Sequence, residues 1–380
     1  MKKNLFLALC LITLSPLCLM AETIPANDSR IVFVGRTAVD GTSVSFDWTA
    51  TYFRIAFSGQ SLTMKASETK WDATPEMAAT RHNYYNVWID SPTSAEPTHI
   101  VEVKGNDTII PLIVPEDVKK SKIKEHLVVI QKRTEAGCGK TTVHEFMTDG
   151  RFLQAPAFKE RQIEFIGDSY TCGYGVDAPS RRDPFTDETE NASRTYASIV
   201  SRYFDADYMA IAHSGRGICR NAGSNIPWEV MTDIYQYTID RDSTTRWSAD
   251  QSAFRPDITV IYLGTNDFSS YMMPDFNKFR KGYLRLLSYV KNNYGEDHPV
   301  LCVASRTSDY QFMYIRDVVN NCGLKNVHYL GYFPAQHHST DEDLGAGWHP
   351  NYNGQQKIAY SIIPYIATIT GWGLQDMPVK

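Results

Sequence analysis

One stretch constrains the fold of this chain more than any other: residues 163–171, Ile-Glu-Phe-Ile-Gly-Asp-Ser-Tyr-Thr. Its apolar run ends in Gly-Asp-Ser, and glycines follow at positions 173 and 175, which predicts a buried strand that stops at a tight turn. Ser169 would stand at the carboxyl end of that strand, where open α/β sheets bind ligands, beside the unpaired N–H groups of a helix start. That position suits a nucleophile. An isolated Asp-Ser pair is more often a simple helix cap, so the rest of the chain must decide.

From Gln162 onward, apolar strands alternate with loops and helices. We predict strands at Ile163–Ile166, Tyr208–Ala212, Ile258–Leu263, Leu301–Ala304 and Val327–Leu330. We predict helices at Arg194–Phe204, Phe276–Asn293, Gln311–Asn320 and Gly354–Thr370. Alternation at this spacing indicates a parallel sheet with helices on both faces, and we assign residues 151–380 to this α/β domain.

Residues 22–150 follow a different pattern, in which short alternating strands are separated by turn signals such as Asp40-Gly41 and Ser58-Gly59. We predict strands at Ile31–Val34, Val44–Trp48, Tyr52–Phe57, Leu62–Lys65, Tyr84–Asp90, His99–Val103, Thr108–Ile113 and Leu127–Gln131. This pattern indicates an all-β sandwich of jelly-roll type. The sequence leaves open whether this domain is only accessory or also binds glycan.

Composition limits the classes of function. A chain of 380 residues suggests two domains, and a formal net charge of −5 favours neither nucleic acid nor an anionic membrane as a partner. Aromatic residues make up 12% of the chain, which suits a surface that stacks on sugar rings, although core packing accounts for most aromatic residues in any protein.

The N-terminus has the features of a targeting segment. Lys2 and Lys3 precede an apolar run from Leu5 to Leu19 that is too short to span a bilayer. We predict a signal peptide over residues 1–21 and an exported protein, periplasmic or extracellular, with no membrane association beyond export. Cys18 raises the question of a lipid anchor, but Leu17 before it is large where a small residue is wanted, which argues against one.

Five cysteines would remain after removal of that peptide: Cys138, Cys172, Cys219, Cys302 and Cys322. Because five is odd, at least one thiol stays unpaired within the chain, and the pairing of the others is left open. No cysteines or histidines have the spacing of a zinc site, so we expect neither metal nor cofactor. His337 and His338 near Asp341 could be imagined as ligands, but such a cluster is far more often just a polar loop.

Three more segments at strand ends or before a helix carry polar side chains: His213-Ser214-Gly215-Arg216-Gly217, Gly264-Thr265-Asn266-Asp267 and Gly347-Trp348-His349-Pro350. Each has an ordinary explanation by itself, but together with Gly-Asp-Ser they supply what acyl transfer needs. His349 can act as the base for Ser169. The backbone N–H groups of Ser169 and Gly215 and the side-chain amide of Asn266 can form the oxyanion hole.

These four segments resemble the blocks of the SGNH (GDSL-like) hydrolases, whose Ser, Gly, Asn and His correspond here to Ser169, Gly215, Asn266 and His349. The residues within these four segments further resemble those of carbohydrate esterase family 2, in which a jelly roll precedes an SGNH domain. The resemblance implies that residues 151–380 form the catalytic domain of a serine esterase. It also implies an acetylated polysaccharide or oligosaccharide as substrate, xylan or glucomannan, with a preference for 6-O-acetyl groups.

One position departs from the SGNH pattern. Most members carry Asp three residues before the catalytic His, where this chain has Ala346, and in this family a backbone carbonyl can orient the imidazole instead. Asp341 and Asp343 are near enough to substitute, but the glycines at 345 and 347 favour a carbonyl. The candidate sugar contacts next to these blocks, each equally explained by packing, are Tyr170, Tyr174 and Trp348.

Two other functions stay open on the sequence alone. An SGNH lipase or thioesterase would need a long apolar acyl groove, and no strongly apolar insertion lies near the four blocks. A glycan-binding protein with a decayed catalytic domain would explain Ala346, but the four block residues are intact. The sequence decides neither the polysaccharide nor the acetylated position. We expect a monomer.

Overall fold

The structure is a computed structural model that describes residues 21–71, 81–91, 96–223, 229–269, 273–305, 309–332 and 340–376. The predicted signal peptide therefore lies almost wholly outside the described residues, as do Cys18, His337 and His338. The described chain forms an N-terminal sandwich of antiparallel sheets and a C-terminal domain with a parallel sheet and helices. This confirms the predicted fold class.

The strands of the N-terminal domain are β1 (Glu22–Pro25), β2 (Val32–Val34), β3 (Ala38–Asp40), β4 (Ser43–Phe46), β5 (Tyr52–Ser58), β6 (Leu62–Thr69), β7 (Asn83–Ile89), β8 (His99–Val103), β9 (Thr108–Ile113), β10 (Glu125–Lys132), β11 (Lys140–Thr148) and β12 (Arg151–Leu153). Within the described residues they form two antiparallel sheets, one in the order β3-β4-β11-β6-β9 with β1 paired to β11, the other in the order β12-β5-β10-β7-β8 with β2 paired to β5. Their inner faces enclose an apolar core that includes Phe46, Phe53 and Phe146.

Strand β11, a central strand of the first sheet, is absent from the strands predicted from the sequence, for a physical reason. A bulge between Val143 and Glu145 shifts the register against β6 by one residue, so the inward-facing positions change phase along the strand. His144 occupies the bulge, and its ring nitrogens bond to the hydroxyls of Ser43 at 3.0 Å and Ser67 at 2.8 Å. The alternation of apolar and polar residues that announces a strand is therefore broken in the middle.

The last strand of the sandwich lies just beyond the predicted boundary between residues 150 and 151. Arg151–Leu153 form β12, which pairs with β5 through Phe152 opposite Phe57. Phe152 is buried in the sandwich core, so the sandwich continues to Leu153. The α/β domain starts at β13, after a short connection.

The C-terminal sheet has the strands β13 (Arg161–Gly167), β14 (Ala206–Ala212), β15 (Ile258–Tyr262), β16 (Val300–Ser305) and β17 (Val327–Tyr332). They run parallel in the order β14-β13-β15-β16-β17, as the strand–helix alternation predicted. The carboxyl ends of β13, β14 and β15 are therefore neighbours at one edge of the sheet. This edge carries three of the four predicted blocks.

The longer helices lie within a few residues of their predicted bounds. The helices of the described chain are Pro115–Val118, Ser169–Cys172, Tyr196–Tyr203, Met231–Ile234, Phe276–Tyr294, Asp309–Asn321 and Tyr352–Thr370. The first long helix begins at Tyr196 rather than at the predicted Arg194, because the Thr195 side chain caps it and residues 192–194 form a separate 3₁₀ turn. Tyr196–Tyr203 packs against Tyr352–Thr370, and Phe276–Tyr294 packs against Asp309–Asn321.

The outer face of the second sandwich sheet packs against the α/β domain. Tyr52, Trp88 and Val129 on that face belong to the same buried apolar cluster as the parallel sheet. Asp207 in β14 accepts hydrogen bonds from the Tyr52 hydroxyl at 2.7 Å and from the Arg54 guanidinium. The two domains therefore share a continuous core, and side chains of the sandwich can reach the parallel sheet.

The five cysteines named above are all unpaired thiols, and Cys138, Cys172 and Cys302 are buried. None of the helices in the described ranges combines the length and apolar character that a membrane span requires.

Candidate active site

Ser169 stands where β13 meets the short helix Ser169–Cys172. β13 ends at Gly167, and a side chain there would collide with Thr171, because a Cβ at residue 167 would lie 1.9 Å from the Thr171 hydroxyl oxygen. Asp168 caps the helix by accepting a hydrogen bond from the Tyr170 N–H at 3.2 Å. The Asp-Ser pair is thus a helix cap, and the cap also positions the serine.

The structure brings Ser169 and His349 together. His349 Nε2 lies 2.8 Å from the Ser169 hydroxyl oxygen, within hydrogen-bond distance, although 180 residues separate the two in sequence. Ser169 is 7% exposed, so the residue keeps a small solvent-accessible area at the edge of the sheet. This is the geometry required of a nucleophile and its general base.

A tight turn before His349 supplies the acceptor for its other ring nitrogen. Gly347 and Trp348 both adopt positive φ, +59° and +64°, which turns the chain back on itself. The Gly347 carbonyl accepts a hydrogen bond from His349 Nδ1 at 3.0 Å. A backbone carbonyl therefore holds the tautomer in which Nε2 faces Ser169, as the sequence favoured.

The carboxylates near this turn are engaged elsewhere. Asp341 forms an ion pair with Arg181 at 2.5 Å. Asp343 is buried and contacts Lys357 at 2.6 Å in the last helix. Ala346 is fully buried against the backbone of Gly175, where a Cβ at residue 175 would lie 2.5 Å from the Ala346 Cβ. Residue 346, at which the SGNH pattern has Asp, thus lies where two chain segments approach each other closely.

Two of the three predicted oxyanion donors are available. Among the described residues, no group accepts a hydrogen bond from the backbone N–H of Ser169 or of Gly215. Gly215 follows the end of β14 and has φ +78°, a conformation that L side chains rarely adopt. The Gly215 N–H and Ser169 lie at the ends of adjacent strands, where they can contact the same atom.

The third predicted donor, Asn266, is occupied. Its Nδ2 donates to the Arg216 carbonyl at 2.9 Å and to Asp168 Oδ2 at 3.2 Å, which uses both amide hydrogens. The pKa of Asp168 is raised to about 7, chiefly by burial and also by the nearby Asp267 carboxylate, while the hydrogen bond from the Tyr170 N–H lowers it in part. For Asn266 to bind an oxyanion, the longer bond to Asp168 must be shared with the substrate or released.

The protonation state of His349 suits a base. Burial lowers the pKa of His349 below its ordinary value, while the hydrogen bond to the Gly347 carbonyl raises it in part. The imidazole is therefore neutral over a wide pH range and can accept the Ser169 proton.

The predicted sugar contacts differ in what they touch. Tyr170 packs edge-on against His349, with ring centroids 5.5 Å apart, and against Tyr262 in the core. Tyr174 packs on His349 at 4.4 Å and stacks on Phe185 at 3.9 Å. Trp348 is 58% exposed, and Arg181 lies 4.1 Å above its ring. Trp348 therefore presents an open aromatic face, whereas the two tyrosines form the wall around the imidazole.

A pocket of about 180 Å³ opens beside the oxyanion donors. It is lined by His213, Ser214, Gly215, Arg216, Asn221, Ala222 and Arg241. Arg241 was not foreseen, because it lies in a loop after β14 that no sequence motif marks. The pocket adds a cationic wall next to the position where the reacting carbonyl would sit.

Glu135, Cys172 and Glu190 are the group in the described chain whose ligand atoms have metal-site spacing, all within 4.8 Å of one another. Burial raises the pKa of the Cys172 thiol and of the Glu190 carboxyl well above their ordinary values, so both favour the neutral form. Arg81 lies 3.5 Å from Glu135. Two of the three groups thus favour the protonated form, and the Arg81 guanidinium already supplies a cation beside the third.

Comparison with family models divides the chain in the same way as the structure. Residues 33–156 match the model described as carbohydrate esterase 2 N-terminal. Residues 163–362 match the model described as GDSL-like lipase/acylhydrolase. The second match covers more than half of the chain and includes Ser169, Gly215, Asn266 and His349.

Similar proteins carry esterase names. The cellulase/esterase CelE of Acetivibrio thermocellus is 38% identical over 255 residues, 65% of this chain and 30% of that protein, so the chain spans under a third of its length. An acetylxylan esterase/glucomannan deacetylase of Cellvibrio japonicus is 28% identical over 91% of both chains. The solved structure of a family two carbohydrate esterase from Clostridium thermocellum with cellohexaose matches with TM-score 0.78 and 28% identity, over 90% of this chain and 100% of that one.

Proposed function

Since this chain belongs to the GDSL-like lipase/acylhydrolase family and carries the N-terminal domain of carbohydrate esterase 2, we propose that it is an esterase that removes O-acetyl groups from plant polysaccharides. The observation that carries this proposal is the 2.8 Å approach of Ser169 Oγ and His349 Nε2 at a sheet edge that also carries the Gly215 N–H. Nucleophile, base and anion donor are the minimum that acyl transfer requires.

In the acylation half of the reaction, Ser169 Oγ attacks the acetyl carbonyl carbon while His349 Nε2 takes the hydroxyl proton. The carbonyl oxygen becomes an oxyanion that accepts hydrogen bonds from the Ser169 and Gly215 N–H groups, and from Asn266 when it gives up Asp168. The intermediate collapses when the bond to the sugar oxygen breaks and His349 donates its proton to that oxygen. Acetyl-Ser169 and a free sugar hydroxyl result.

Deacylation repeats the steps with water. His349 removes a proton from water, whose oxygen attacks the acetyl carbonyl in the same oxyanion site. The second intermediate releases acetate and returns the proton to Ser169 Oγ. The Gly347 carbonyl keeps the imidazole in the right tautomer in both halves, since a histidine in the wrong tautomer can lower kcat by about 10⁴-fold.

Acetylated xylan or glucomannan is the substrate class that we propose, with 6-O-acetyl groups preferred. The name of the Cellvibrio japonicus relative supports the class. Within the structure, the exposed ring of Trp348 beside His349 offers a face on which a sugar ring can stack. We further propose that the protein is exported by its N-terminal segment, because its substrate is an extracellular polymer. We also propose that it acts as a monomer.

The proposal is tested by acetate release from acetylated xylan and acetylated glucomannan, with the products resolved by position and with Ser169→Ala as the control. We expect release by the wild type, not by the variant, and faster turnover of acetyl than of long-chain nitrophenyl esters. Preference for long-chain esters would indicate the lipase or thioesterase function instead. Binding of glycan without acetate release would indicate a decayed catalytic domain.

A further inference from the structure

A carboxylate of the sandwich domain lies directly beneath the catalytic loops. Glu135 follows β10 and is 2% exposed. Its Oε2 accepts a hydrogen bond from the Ser214 N–H at 2.6 Å, and its own N–H donates to Glu190 at 2.9 Å. Ser214 is the residue before Gly215, so the peptide that carries an oxyanion donor starts at a residue held by the other domain.

Glu135 keeps its negative charge although it is buried. Burial would raise its pKa, but His213, Arg81 and the Ser214 N–H together outweigh burial and hold the pKa of Glu135 below its usual value. Glu190 beside it behaves oppositely, because burial and the Glu135 charge raise the pKa of Glu190 well above its usual value. Of these two adjacent carboxyls, Glu135 therefore favours the ionised form and Glu190 favours the neutral form.

We propose that Glu135 is a positioning residue of the esterase site, which fixes the Ser214–Gly215 peptide for the oxyanion and supplies through space the negative charge that Asp would supply at position 346. This inference rests on the proposed function. Two groups then replace the acid of a catalytic triad. The Gly347 carbonyl sets the imidazole tautomer, and Glu135 stabilises the imidazolium.

The position of Glu135 permits the electrostatic role. Its carboxylate oxygen lies within 4.8 Å of Cys172 Sγ, in the same short helix as Ser169. The Glu135 charge raises the pKa of His349 in opposition to burial, and with burial it raises the pKa of Tyr174, whose ring lies on the imidazole. Because little solvent screens a buried charge, the Glu135 carboxylate can act on the imidazole without contacting it.

Other charged groups surround the Glu135 carboxylate, and a substitution of Glu135 would change the interactions of these groups. The titratable side chains around Glu135 include Arg81, Lys132, Cys172, Asp187, Glu190, His213 and Arg216. Tyr170 and Tyr174 pack against His349, next to the Ser169 hydroxyl. Lys132 Nζ donates to the Glu135 carbonyl at 2.9 Å, and Arg81 faces its carboxylate. Loss of the Glu135 charge would therefore leave Arg81 with only one of its two carboxylate partners, Asp187.

Three variants separate the two roles, and all are assayed in the full chain with 4-nitrophenyl acetate as the substrate. Glu135→Gln keeps the shape and an acceptor oxygen for Ser214 but removes the charge. Glu135→Asp keeps the charge but shortens the reach to Ser214. Glu190→Gln is the matched control, because it replaces a neutral buried carboxyl with a neutral amide in the same cluster.

For Glu135→Gln we expect kcat to fall by about tenfold, less than the 10²- to 10³-fold cost of losing an oxyanion donor, with KM nearly unchanged. Its acid limb of kcat/KM should move to lower pH, since the imidazolium loses a stabilising charge. For Glu135→Asp we expect a lower kcat with the acid limb in place. Glu190→Gln should leave both close to the wild type.

The inference is overturned if folded Glu135→Gln matches the wild type in kcat and in its acid limb, or if Glu190→Gln changes both as much. Thermal unfolding and circular dichroism establish that each variant is folded. If Glu135→Gln does not fold, Glu135→Asp decides alone, because a wild-type kcat in that variant contradicts the positioning role. A wild type that turns over no acetyl ester refutes the proposed function instead.

Discussion

His349 donates a hydrogen bond from Nδ1 to the carbonyl oxygen of Gly347, two residues before it, at 3.0 Å. The bond exists because Gly347 and Trp348 both have positive φ, a conformation that is strained for tryptophan. This strained turn lies next to Ser169 and His349, and it points the Gly347 carbonyl at the imidazole. The imidazole of His349 is thereby oriented without a carboxylate in direct contact.

The first prediction concerns the nearby acids. Asp341→Asn and Asp343→Asn should each keep activity within about tenfold, because Asp341 pairs with Arg181 and Asp343 with Lys357 rather than with His349. Initial rates on an acetyl ester measure this, with thermal unfolding as the control, since the buried Asp343 contact also supports the last helix. A fall of about 10³-fold in either folded variant would show that a displaced triad acid operates.

The strands of this fold could be predicted from the sequence more fully than the contacts between distant side chains. The parallel strands were predicted nearly at their observed bounds, because continuous apolar runs such as Ile258–Tyr262 mark strands buried on both faces. Strand β11 was missed because the bulge at His144 breaks its alternation, and β12 was missed because three residues carry too little pattern. Local irregularity therefore limited the fold prediction more than composition did.

The site was predictable where its residues belong to motifs and hidden where they do not. Ser169 and His349 occur in short recognisable segments, and the structure places them in contact. Glu135 lies in the other domain, and its contact with Ser214 depends on how the two domains pack. No spacing along the chain encodes such a contact. Nor could the sequence show that Asn266 already uses both amide hydrogens.

The second prediction follows from the pKa of His349. Because burial lowers this pKa below the ordinary value of 6.5, the imidazole stays neutral and active in mildly acidic solution. The acid limb of kcat/KM should therefore have its midpoint below pH 6.5, and activity should be lost only as the pH falls through that midpoint. A pH profile on a nitrophenyl ester at constant ionic strength measures it. A midpoint above the ordinary value would mean that a direct charge partner outweighs burial.

The third prediction concerns Asn266. Asn266→Ala should lower kcat by about 10²- to 10³-fold and leave KM nearly unchanged, because the amide would hold charge that exists only in the transition state. Steady-state kinetics on the deacetylation substrate separate the two constants. If KM rises while kcat holds, Asn266 binds substrate in the ground state. If neither changes, its bonds to Asp168 and Arg216 are structural and the oxyanion depends on backbone donors alone.

The central claim is that Ser169 becomes covalently acylated during turnover, and labelling tests it most directly. The protein is treated with a serine-directed phosphonate, and the modified peptide is located by mass spectrometry, with Ser169→Ala carried in parallel. We predict one label, on Ser169, with complete loss of esterase activity. The Ser169→Ala variant should be folded and unlabelled, with turnover lower by several orders of magnitude, about 10⁴-fold or more. Normal turnover by that variant, or inactivation through a label on another residue, would contradict it.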